Sequence, residues 1–233
     1  MYEDSSRSDK QIVVLGGGTA GWLSAFLLQD FCRQHELAAK VTVIESSKIP
    51  VIGVGEGTTA IFKTFLDSFG LEEAEFLRET RGTIKYGIRH KDWRKLGHHY
   101  DGPIDDPHFL VPPSGKEGFE YLNSYCIAAG RSVSEAHLFQ ILLSKGLAPV
   151  KSQKDQLVPN HPFIHAYHID NALVGQYLCE RSKGIRIVDG VVEEALRDTA
   201  TGHIRSLKMD DGNLIEGDFF IDCSGFRRIL IEK

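Results

Sequence analysis

A run of glycines near the N-terminus stands where the sequence passes from a strand pattern to a helical one. The run reads Gly16, Gly17, Gly18, Thr19, Ala20, Gly21, and the apolar residues Ile12 to Leu15 precede it. After it, apolar residues recur at helical spacing on one predicted face, at Leu23, Phe26, Leu27 and Phe31. Such a turn leaves backbone N–H groups and the positive end of a helix dipole free to bind phosphate. The stretch therefore predicts a dinucleotide-binding strand, turn and helix.

Three of these glycines have separate tasks in that interpretation. Gly16 permits the tight turn, Gly18 lets the backbone approach a pyrophosphate, and Gly21 lets the helix pack closely on the strand. A second apolar strand, Val41 to Ile44, ends at Glu45, 24 residues after Gly21. A carboxylate there accepts hydrogen bonds from the adenosine ribose hydroxyls and repels the 2′-phosphate of NADP, so FAD or NAD is favoured.

The C-terminal part of the sequence favours FAD over NAD. Ile185 to Val188 predicts a third parallel strand, and three short alternating segments between residues 191 and 218 predict an antiparallel meander. A buried strand is then predicted at 219–222, ending in Asp222 with Gly225 after it. This is the layout of flavoproteins with two dinucleotide-fold motifs, in which the strand-end acid holds the flavin ribityl chain. NAD-only Rossmann domains usually lack the meander.

A lysine and a second glycine-rich segment are further candidates for chemistry. Thr83 to His90 alternates with period two and predicts one strand, with Lys85 and Gly87 on the face opposite Tyr86. The alternation alone predicts that Lys85 is a surface lysine. Gly87, its neighbour on the same face, has no side chain and would leave space beside it. The segment Gly53 to Thr58 is either a flexible connection or a second backbone cradle beside a bound ring or phosphate.

The segments around these candidates predict two helices and an irregular insertion that would surround a site. A helix after Thr58 is closed by Gly70, Leu71 to Glu79 forms a short acidic helix, and residues 97–131 form an irregular insertion over a site. Three histidines and an acid invite a metal interpretation: His161, His165, His168 and Asp170. The segment has no helical context and Asp170 is better placed as a helix N-cap, so no metal site is predicted.

Composition limits the class of protein. The chain has 233 residues, 42% hydrophobic and 25% charged, with a net charge of −5 spread without blocks, which disfavours nucleic acid and acidic membranes as partners. No apolar run approaches the ~20 residues of a membrane span. The polar residues 1–10 have no signal-peptide pattern and are expected to form a flexible N-terminus. A cytoplasmic protein is expected, with its four dispersed cysteines reduced.

Five ordered motifs together resemble a known family, the flavin-dependent halogenases of the tryptophan halogenase type. They are GGGTAGW from Gly16, IPVIGVGEGT from Ile49, the segment from Lys85 to Trp93, HAYHID from His165 and FIDCSG from Phe220. The resemblance covers residues 11–233 as one FAD-binding domain. It implies an α/β, Rossmann-type FAD-binding fold with three-layer ββα architecture and a β-meander, related to flavin monooxygenases.

The same resemblance implies an activity and its participants. Reduced FAD, supplied by a separate flavin reductase, would activate O2, and chloride or bromide would yield hypohalous acid that reaches a small aromatic, indole-type substrate. The halogen-transferring lysine of the family stands eight residues before a tryptophan, which selects Lys85 before Trp93. The cofactor-binding residues expected on this basis are Gly16, Gly17, Gly18, Thr19, Ala20, Gly21, Glu45, Ser46, Ile49, Ile52, Val54, Gly55, Gly57, Val191, Asp222 and Gly225.

The sequence departs from the family pattern in two ways. The family's Trp-x-Trp-x-Ile-Pro signature, catalytic glutamate and halide loop would lie beyond Lys233, so the C-terminal part of the family fold is expected to be absent. His98 to Asp106 lacks the aromatic pair that sandwiches indole in tryptophan-specific members. An FAD-dependent aromatic hydroxylase and a truncated, non-catalytic flavin-binding fragment stay as alternatives, and the oligomeric state is open, with a homodimer as one option.

Overall fold

The computed structural model describes residues 9–50, 55–104, 116–132, 138–147 and 165–231. The chain divides into two compact units, one formed by residues 1–54 with 170–233 and the other by residues 55–169. In the described residues the helices and strands follow in this order: β1 (Lys10–Leu15), α1 (Thr19–Gln34), β2 (Ala39–Glu45), β3 (Gly55–Gly57), α2 (Ile61–Ser68), α3 (Glu73–Glu79), β4 (Thr83–Lys85), β5 (Gly87–Lys91), β6 (His99–Pro103), α4 (Lys116–Ala128), α5 (Leu138–Ser144), β7 (Ala166–Asp170), α6 (Asn171–Glu180), β8 (Arg186–Asp189), β9 (Val192–Arg197), β10 (Ile204–Met209), β11 (Leu214–Glu216) and β12 (Phe219–Asp222).

A parallel sheet of order β12-β1-β2-β8 organises the first unit. Strand β1 pairs in parallel with β2 on one side and with β12 on the other, where Leu15 lies opposite Asp222. Strand β8 pairs in parallel with β2, and Glu45 lies opposite Asp189. The predicted third parallel strand and returning strand are both confirmed. Parallel pairing brings the carboxyl ends of these strands, and the loops that follow them, to one edge of the sheet.

The first unit has three layers. The antiparallel meander, of order β11-β10-β9, packs on one face of the parallel sheet, since Leu15, Ile44, Leu207 and Met209 share one buried core. Side chains alternate along a strand, so the fully buried Val14 faces the other way. Helix α1 contacts β1, β2 and α6. The predicted meander, sheet and helix layering is confirmed.

The buried face of α1 differs from the predicted one. Trp22, Phe26 and Cys32 are buried, whereas Leu27 and Phe31 are 55% and 54% exposed. Each helical residue turns by ~100° about the axis, so a stripe centred on Trp22 and Phe26 leaves Leu27 at its side. The prediction was wrong because Trp22, which directly follows the glycine turn, takes the inner position.

The strand β12 also differs from its prediction as a buried strand. It lies at the end of the four-stranded order, and Phe219 is 56% exposed, while Phe220, Ile221 and Asp222 are partly buried. A strand at the end of the sheet order has a neighbouring strand on one side only, which explains why this apolar strand is less buried than predicted.

The second unit holds two small sheets and four helices among its described residues. Strands β3, β7 and β4 form one sheet in that order, and β5 pairs with β6 in an antiparallel hairpin. Helix α2 ends before Gly70, whose φ of +62° confirms the predicted cap. Helix α3 confirms the predicted short acidic helix. The side chain of its N-cap residue, Glu72, accepts a hydrogen bond from the Glu75 N–H.

Two predictions for the second unit were wrong. The single strand over Thr83 to His90 is interrupted at Tyr86, so that β4 pairs with β7 and β5 pairs with β6. The predicted irregular insertion at 97–131 contains β6 and α4, although residues 105–115 lie outside the described part. Periodicity in one segment does not reveal which distant strand pairs with it, and that choice divides this strand in two.

Candidate functional site

The glycine turn joins β1 to α1 through close backbone contacts. The N–H of Gly16 donates to the Ile44 carbonyl at 2.8 Å, and Gly16 has φ of +122°, which favours glycine. A Cβ on Gly21 would overlap with the Gly16 carbonyl oxygen, so Gly21 permits the close packing predicted for it. Gly18, the N-cap of α1, would have no atom within 4 Å of an added Cβ, and no described side chain caps the helix there. The start of α1 therefore presents open space beside its N–H groups.

Gly17 has a task that sequence reasoning missed. A Cβ at this position would overlap with both the carboxylate and the Cβ of Glu45, so the turn and the end of β2 can meet only if residue 17 is glycine. Gly175 of α6 makes a similar approach, since its added Cβ would lie 3.2 Å from the Gly17 carbonyl oxygen. The carboxylate of Glu45 is thus held against the backbone of the glycine turn.

The surroundings of Glu45 shift its protonation. Burial raises the pKa of Glu45 above its ordinary value, and the nearby charge of Asp189 raises it further. The buried Trp22 indole opposes this rise in part, although its N–H meets no acceptor at full hydrogen-bonding geometry among the described residues. A partly buried carboxylate beside a glycine turn is suited to accept hydrogen bonds from a ligand hydroxyl.

Asp222 braces the loop after β12, which comprises residues 223–230. Its carboxylate accepts hydrogen bonds from the Ser224 N–H at 2.9 Å, the Ser224 hydroxyl at 2.5 Å and the Leu230 N–H at 2.8 Å. Burial raises the pKa of Asp222, but these hydrogen bonds outweigh it and hold the pKa below its ordinary value. Asp222 is therefore an ionised acceptor that closes the loop on itself.

The turn, the end of β2 and this loop surround one cavity of about 300 Å³ within the first unit. Predicted site residues line it at eight positions: Gly16, Gly17, Gly18, Glu45, Ser46, Ile49, Val191 and Gly225. Sequence reasoning missed the other lining residues: Leu15, Ile44, Pro50, Gly190, Val192, Cys223, Ser224, Phe226, Arg227 and Ile229. Most of these residues are within a few positions of a predicted residue in the sequence. Their location next to the predicted strand ends was the signal that could have identified them.

The remaining predicted residues lie elsewhere. Thr19, Ala20 and Gly21 form the first turn of α1 and are not among the lining residues, and Asp222 supports the wall through its loop. Ile52 and Val54 lie outside the described residues. Gly55 and Gly57 belong to the second unit, where the expected flexible connection or cradle is the short strand β3.

Lys85 meets Gly57 and Thr58 within the second unit. Its ammonium group donates a hydrogen bond to the Thr58 carbonyl oxygen at 3.0 Å, and a Cβ on Gly57 would lie 2.9 Å from its Nζ. Lys85 of β4 pairs with the buried Ala166 of β7. The side chain is partly buried, so Lys85 is not an ordinary surface lysine.

Gly87 does not clear space beside Lys85 as predicted. An added Cβ would overlap with the Leu143 side chain of α5 and lie 3.0 Å from the Gly102 carbonyl oxygen of β6. Gly87 begins a different strand from Lys85, so the missing side chain admits α5 onto the β5–β6 hairpin instead.

A separate polar cluster joins β7 to α3. The buried Tyr167 hydroxyl donates to the Glu73 carboxylate at 2.5 Å, and His165 Nε2 lies 2.5 Å from the same oxygen. Burial raises the pKa of Glu73, but the two hydrogen bonds outweigh it and the net shift is downward. Asp170 accepts from the N–H groups of Ala172 and Leu173, which confirms its predicted N-cap role. In the part of the chain that is described, no group of His, Cys, Asp and Glu could hold a metal ion.

The sequence profile of the family described as "Tryptophan halogenase" matches residues 11–233. The chain belongs to the tryptophan halogenase family. The Tryptophan 6-halogenase SttH of Streptomyces toxytricini is 30% identical over 247 residues, which cover 98% of this chain and 46% of that protein. The Tryptophan 7-halogenase RebH of Lentzea aerocolonigenes is 30% identical over 252 residues, with 98% of this chain and 44% of that protein covered. The chain thus spans less than half the length of these relatives.

Solved structures agree with the family assignment. Xcc4156, a flavin-dependent halogenase from Xanthomonas campestris, matches with a TM-score of 0.77 at 30% identity, over 97% of this chain and 44% of that one. The predicted α/β, Rossmann-type FAD-binding fold of this halogenase family is therefore confirmed. The four cysteines are free thiols, and among the described residues no helix is long and apolar enough to cross a membrane.

Proposed function

We propose that this chain binds FAD in the cavity of its first unit. We further propose that the protein halogenates an electron-rich aromatic, indole-type substrate with reduced FAD, O2 and chloride or bromide. A flavin reductase would supply the reduced FAD. The observation that carries the proposal is the meeting of the Gly16–Gly18 turn, Glu45 and Gly225 around one cavity at the carboxyl ends of β1, β2 and β12. Ligands bind at this edge of open parallel sheets.

The residues around the cavity fit a dinucleotide. Open space at Gly18 and the uncapped start of α1 suit a pyrophosphate, because the helix dipole and the N–H groups both favour negative charge. Glu45 would accept hydrogen bonds from the adenosine ribose hydroxyls. The side chains of Ile49 and Val191 form an apolar part of the cavity wall. When bound and reduced, FAD would supply the activation of O2 from which hypohalous acid is made with halide.

Lys85 is the proposed residue of halogen transfer. As an ammonium group it would hydrogen-bond hypohalous acid and polarise it toward an aromatic carbon. The Thr58 carbonyl oxygen at 3.0 Å holds the amine in place, and Gly57 leaves room around it. Halogen transfer requires an amine at a fixed position, which a flexible surface lysine does not provide.

The test is Lys85→Ala in the full-length protein, assayed with a flavin reductase, NADH, FAD, bromide and an aromatic substrate. We expect halogenated product to disappear, while FAD affinity and NADH-driven peroxide formation are retained, because the amine has no part in the flavin half-reaction. Lys91→Ala, on β5, is the matched control and should keep full turnover. Halogenation that survives in Lys85→Ala would return Lys85 to a structural role.

The substrate is proposed to be an aromatic other than free L-tryptophan. The residues His98 to Asp106 lack an aromatic pair, and stacking contributes about 0.5–1.5 kcal/mol per ring pair beyond area burial. A panel of indoles, phenols and pyrroles, offered to the full-length protein with reductase, NADH and bromide, should give a higher turnover for at least one member than for L-tryptophan. Highest turnover on L-tryptophan would refute this choice of substrate.

A further inference from the structure

The cavity wall contains one cation among the described residues, and sequence reasoning did not select it. Arg227 is exposed, lines the cavity with the glycine turn, and forms no ion pair with any other described residue. Glu45 is the only acid of the described wall. A solvent-accessible arginine in a cavity that already offers N–H groups to phosphate is a candidate anion ligand.

The loop after β12 holds Arg227 at a defined position. Gly225–Arg227 forms one 3-10 turn, and Arg228 after it takes a left-handed conformation with φ of +44°. Asp222 binds the loop at both ends through Ser224 and Leu230. The Ser224 hydroxyl in turn accepts the Ile229 N–H at 3.1 Å.

The anchors of the loop are themselves buried. Ile229 and Leu230 are 8% and 7% exposed and belong to the core shared by the sheet and the meander. A non-glycine residue in the left-handed region, such as Arg228, persists only where surrounding contacts impose it. The loop is thus fixed from both sides, and Arg227 is presented from a rigid turn.

A pyrophosphate carries more negative charge than a helix N-terminus alone neutralises. The dipole supplies the equivalent of about half a positive charge, and the N–H groups of a turn add hydrogen bonds without net charge. A guanidinium group adds a full charge and pairs with two phosphate oxygens at once. The cavity would therefore hold a diphosphate between a helix start and a cation.

We propose that Arg227 binds the diphosphate of the dinucleotide in this cavity, with Asp222 as its positioning residue. This inference rests on the proposed function, since it assumes that the cavity takes FAD. It predicts the ligand class: diphosphates such as FAD and ADP gain from Arg227, whereas riboflavin, which has no phosphate, does not. Asp222 acts through the loop by keeping the turn that carries Arg227 closed.

The test compares Arg227→Gln with Arg228→Gln, which removes the same charge one residue away. Dissociation constants for FAD, ADP and riboflavin are measured by flavin fluorescence and by calorimetry. We expect Arg227→Gln to weaken FAD and ADP about 10- to 100-fold, the size expected for a charged hydrogen bond, and to leave riboflavin unchanged. Arg228→Gln should bind all three as the unchanged chain does. The salt dependence of FAD binding should be shallower in Arg227→Gln.

Asp222→Asn tests the positioning role separately. It should weaken FAD binding, and the double variant with Arg227→Gln should bind no more weakly than Arg227→Gln alone, because both changes remove the same contact. Additive losses would show that Asp222 acts independently of Arg227 and would overturn its positioning role.

The outcomes separate the two proposals. An unchanged chain that binds no FAD contradicts the proposed function. An unchanged chain that binds FAD, together with an Arg227→Gln variant that binds FAD equally, overturns the role of Arg227 alone. Equal losses in Arg227→Gln and Arg228→Gln would indicate a general charge effect and would also overturn it.

Discussion

The amine of Lys85 donates a hydrogen bond to the Thr58 carbonyl oxygen at 3.0 Å, across the strand that contains Ala166. Thr58 is fixed in turn, because its N–H donates to the Tyr167 carbonyl at 2.8 Å and its hydroxyl accepts the Tyr167 N–H at 3.0 Å. The position of the Lys85 amine is therefore determined by Thr58, which is itself held by Tyr167 of β7. This relationship connects two motifs that were selected separately in the sequence.

Gly57→Ala tests whether the position of the amine matters. The new Cβ would lie 2.9 Å from Lys85 Nζ, so the amine must move while the backbone need not. We expect substrate halogenation to fall about tenfold or more, since misplacement of a reacting group by ~1 Å costs about 10²-fold. The thermal midpoint should change little.

Gly55→Ala is the matched control on the same strand. Its added Cβ would lie 3.6 Å from the Ile169 carbonyl oxygen, an ordinary contact, so turnover should be retained. Equal turnover of the full-length protein with and without Gly57→Ala would contradict a fixed position for the amine. FAD affinity is measured in both variants to separate amine displacement from a cofactor contact at Gly57.

A pair of glycine substitutions should separate folding from cofactor binding. Gly21→Ala should lower the free energy of unfolding by about 3 kcal/mol, because its Cβ overlaps with backbone that cannot move aside. Gly18→Ala should stay within about 1 kcal/mol of the unchanged chain, since nothing lies within 4 Å of the new Cβ. It should nevertheless weaken FAD binding by about tenfold or more, because the methyl group occupies the proposed phosphate space. Chemical denaturation and FAD titration measure the two effects, and tight FAD binding by Gly18→Ala would argue against phosphate at this turn.

FAD affinity should depend on pH through Glu45. Burial raises the pKa of Glu45 above 4.5, and only the ionised carboxylate accepts from both ribose hydroxyls. Affinity should thus be full above the raised pKa and should fall as the pH decreases through it. Titrations from neutral to acidic pH should show this decrease in the unchanged chain. Glu45→Gln should bind more weakly at the upper end with a flatter profile, and an identical profile in both would exclude Glu45 as the titrating group.

Tyr167→Phe should lower the free energy of unfolding by about 1–2 kcal/mol, because the buried hydroxyl donates to the Glu73 carboxylate. The pKa of Glu73 is lowered in the folded chain, so this stabilisation is present above the unfolded pKa and is lost as pH falls through the folded pKa. Without the Tyr167 donor the folded pKa of Glu73 should be less lowered, so the loss should be complete at a higher pH. Urea denaturation at several pH values measures both effects.

Tyr121→Phe is the control for that substitution, since Tyr121 is 75% exposed on α4. It should leave the free energy of unfolding within about 0.5 kcal/mol of the starting value. A loss of the same size in both variants would show that the Tyr167 hydroxyl has no special part in the cluster.

Local signals made the first unit predictable. Strand β1, the glycine turn, α1 and the meander depend on residues close in sequence, whose apolar period and turn glycines act over a few positions. The Asp198 carboxylate, for example, accepts from the Thr201 N–H at 2.8 Å within one predicted meander turn. The Asp170 N-cap was predictable for the same reason.

The elements that were mispredicted depend on distant partners. Tyr86 interrupts a perfect alternation because β4 pairs with β7 while β5 pairs with β6. Because Gly87 has no side chain, Leu143, which is far away in sequence, can pack against it. No period in residues 83–90 carries this information, since pairing is chosen by which strands arrive on either side.

The sequence by itself determined the Rossmann-type unit, the glycine turn, the acid at the end of β2 and the family, because each is a short pattern with a local physical task. Tertiary structure alone decided that Gly17 must admit Glu45, that Asp222 closes the loop carrying Arg227, and that the Lys85 amine lies against Gly57. The contacts of Gly17 with Glu45 and of Lys85 with Gly57 join segments distant in the chain, whereas Asp222 binds its own loop, whose Ile229 and Leu230 pack into the core shared by the sheet and the meander. Such contacts are set by how layers pack and strands pair, and the spacing of residues along one segment does not record them.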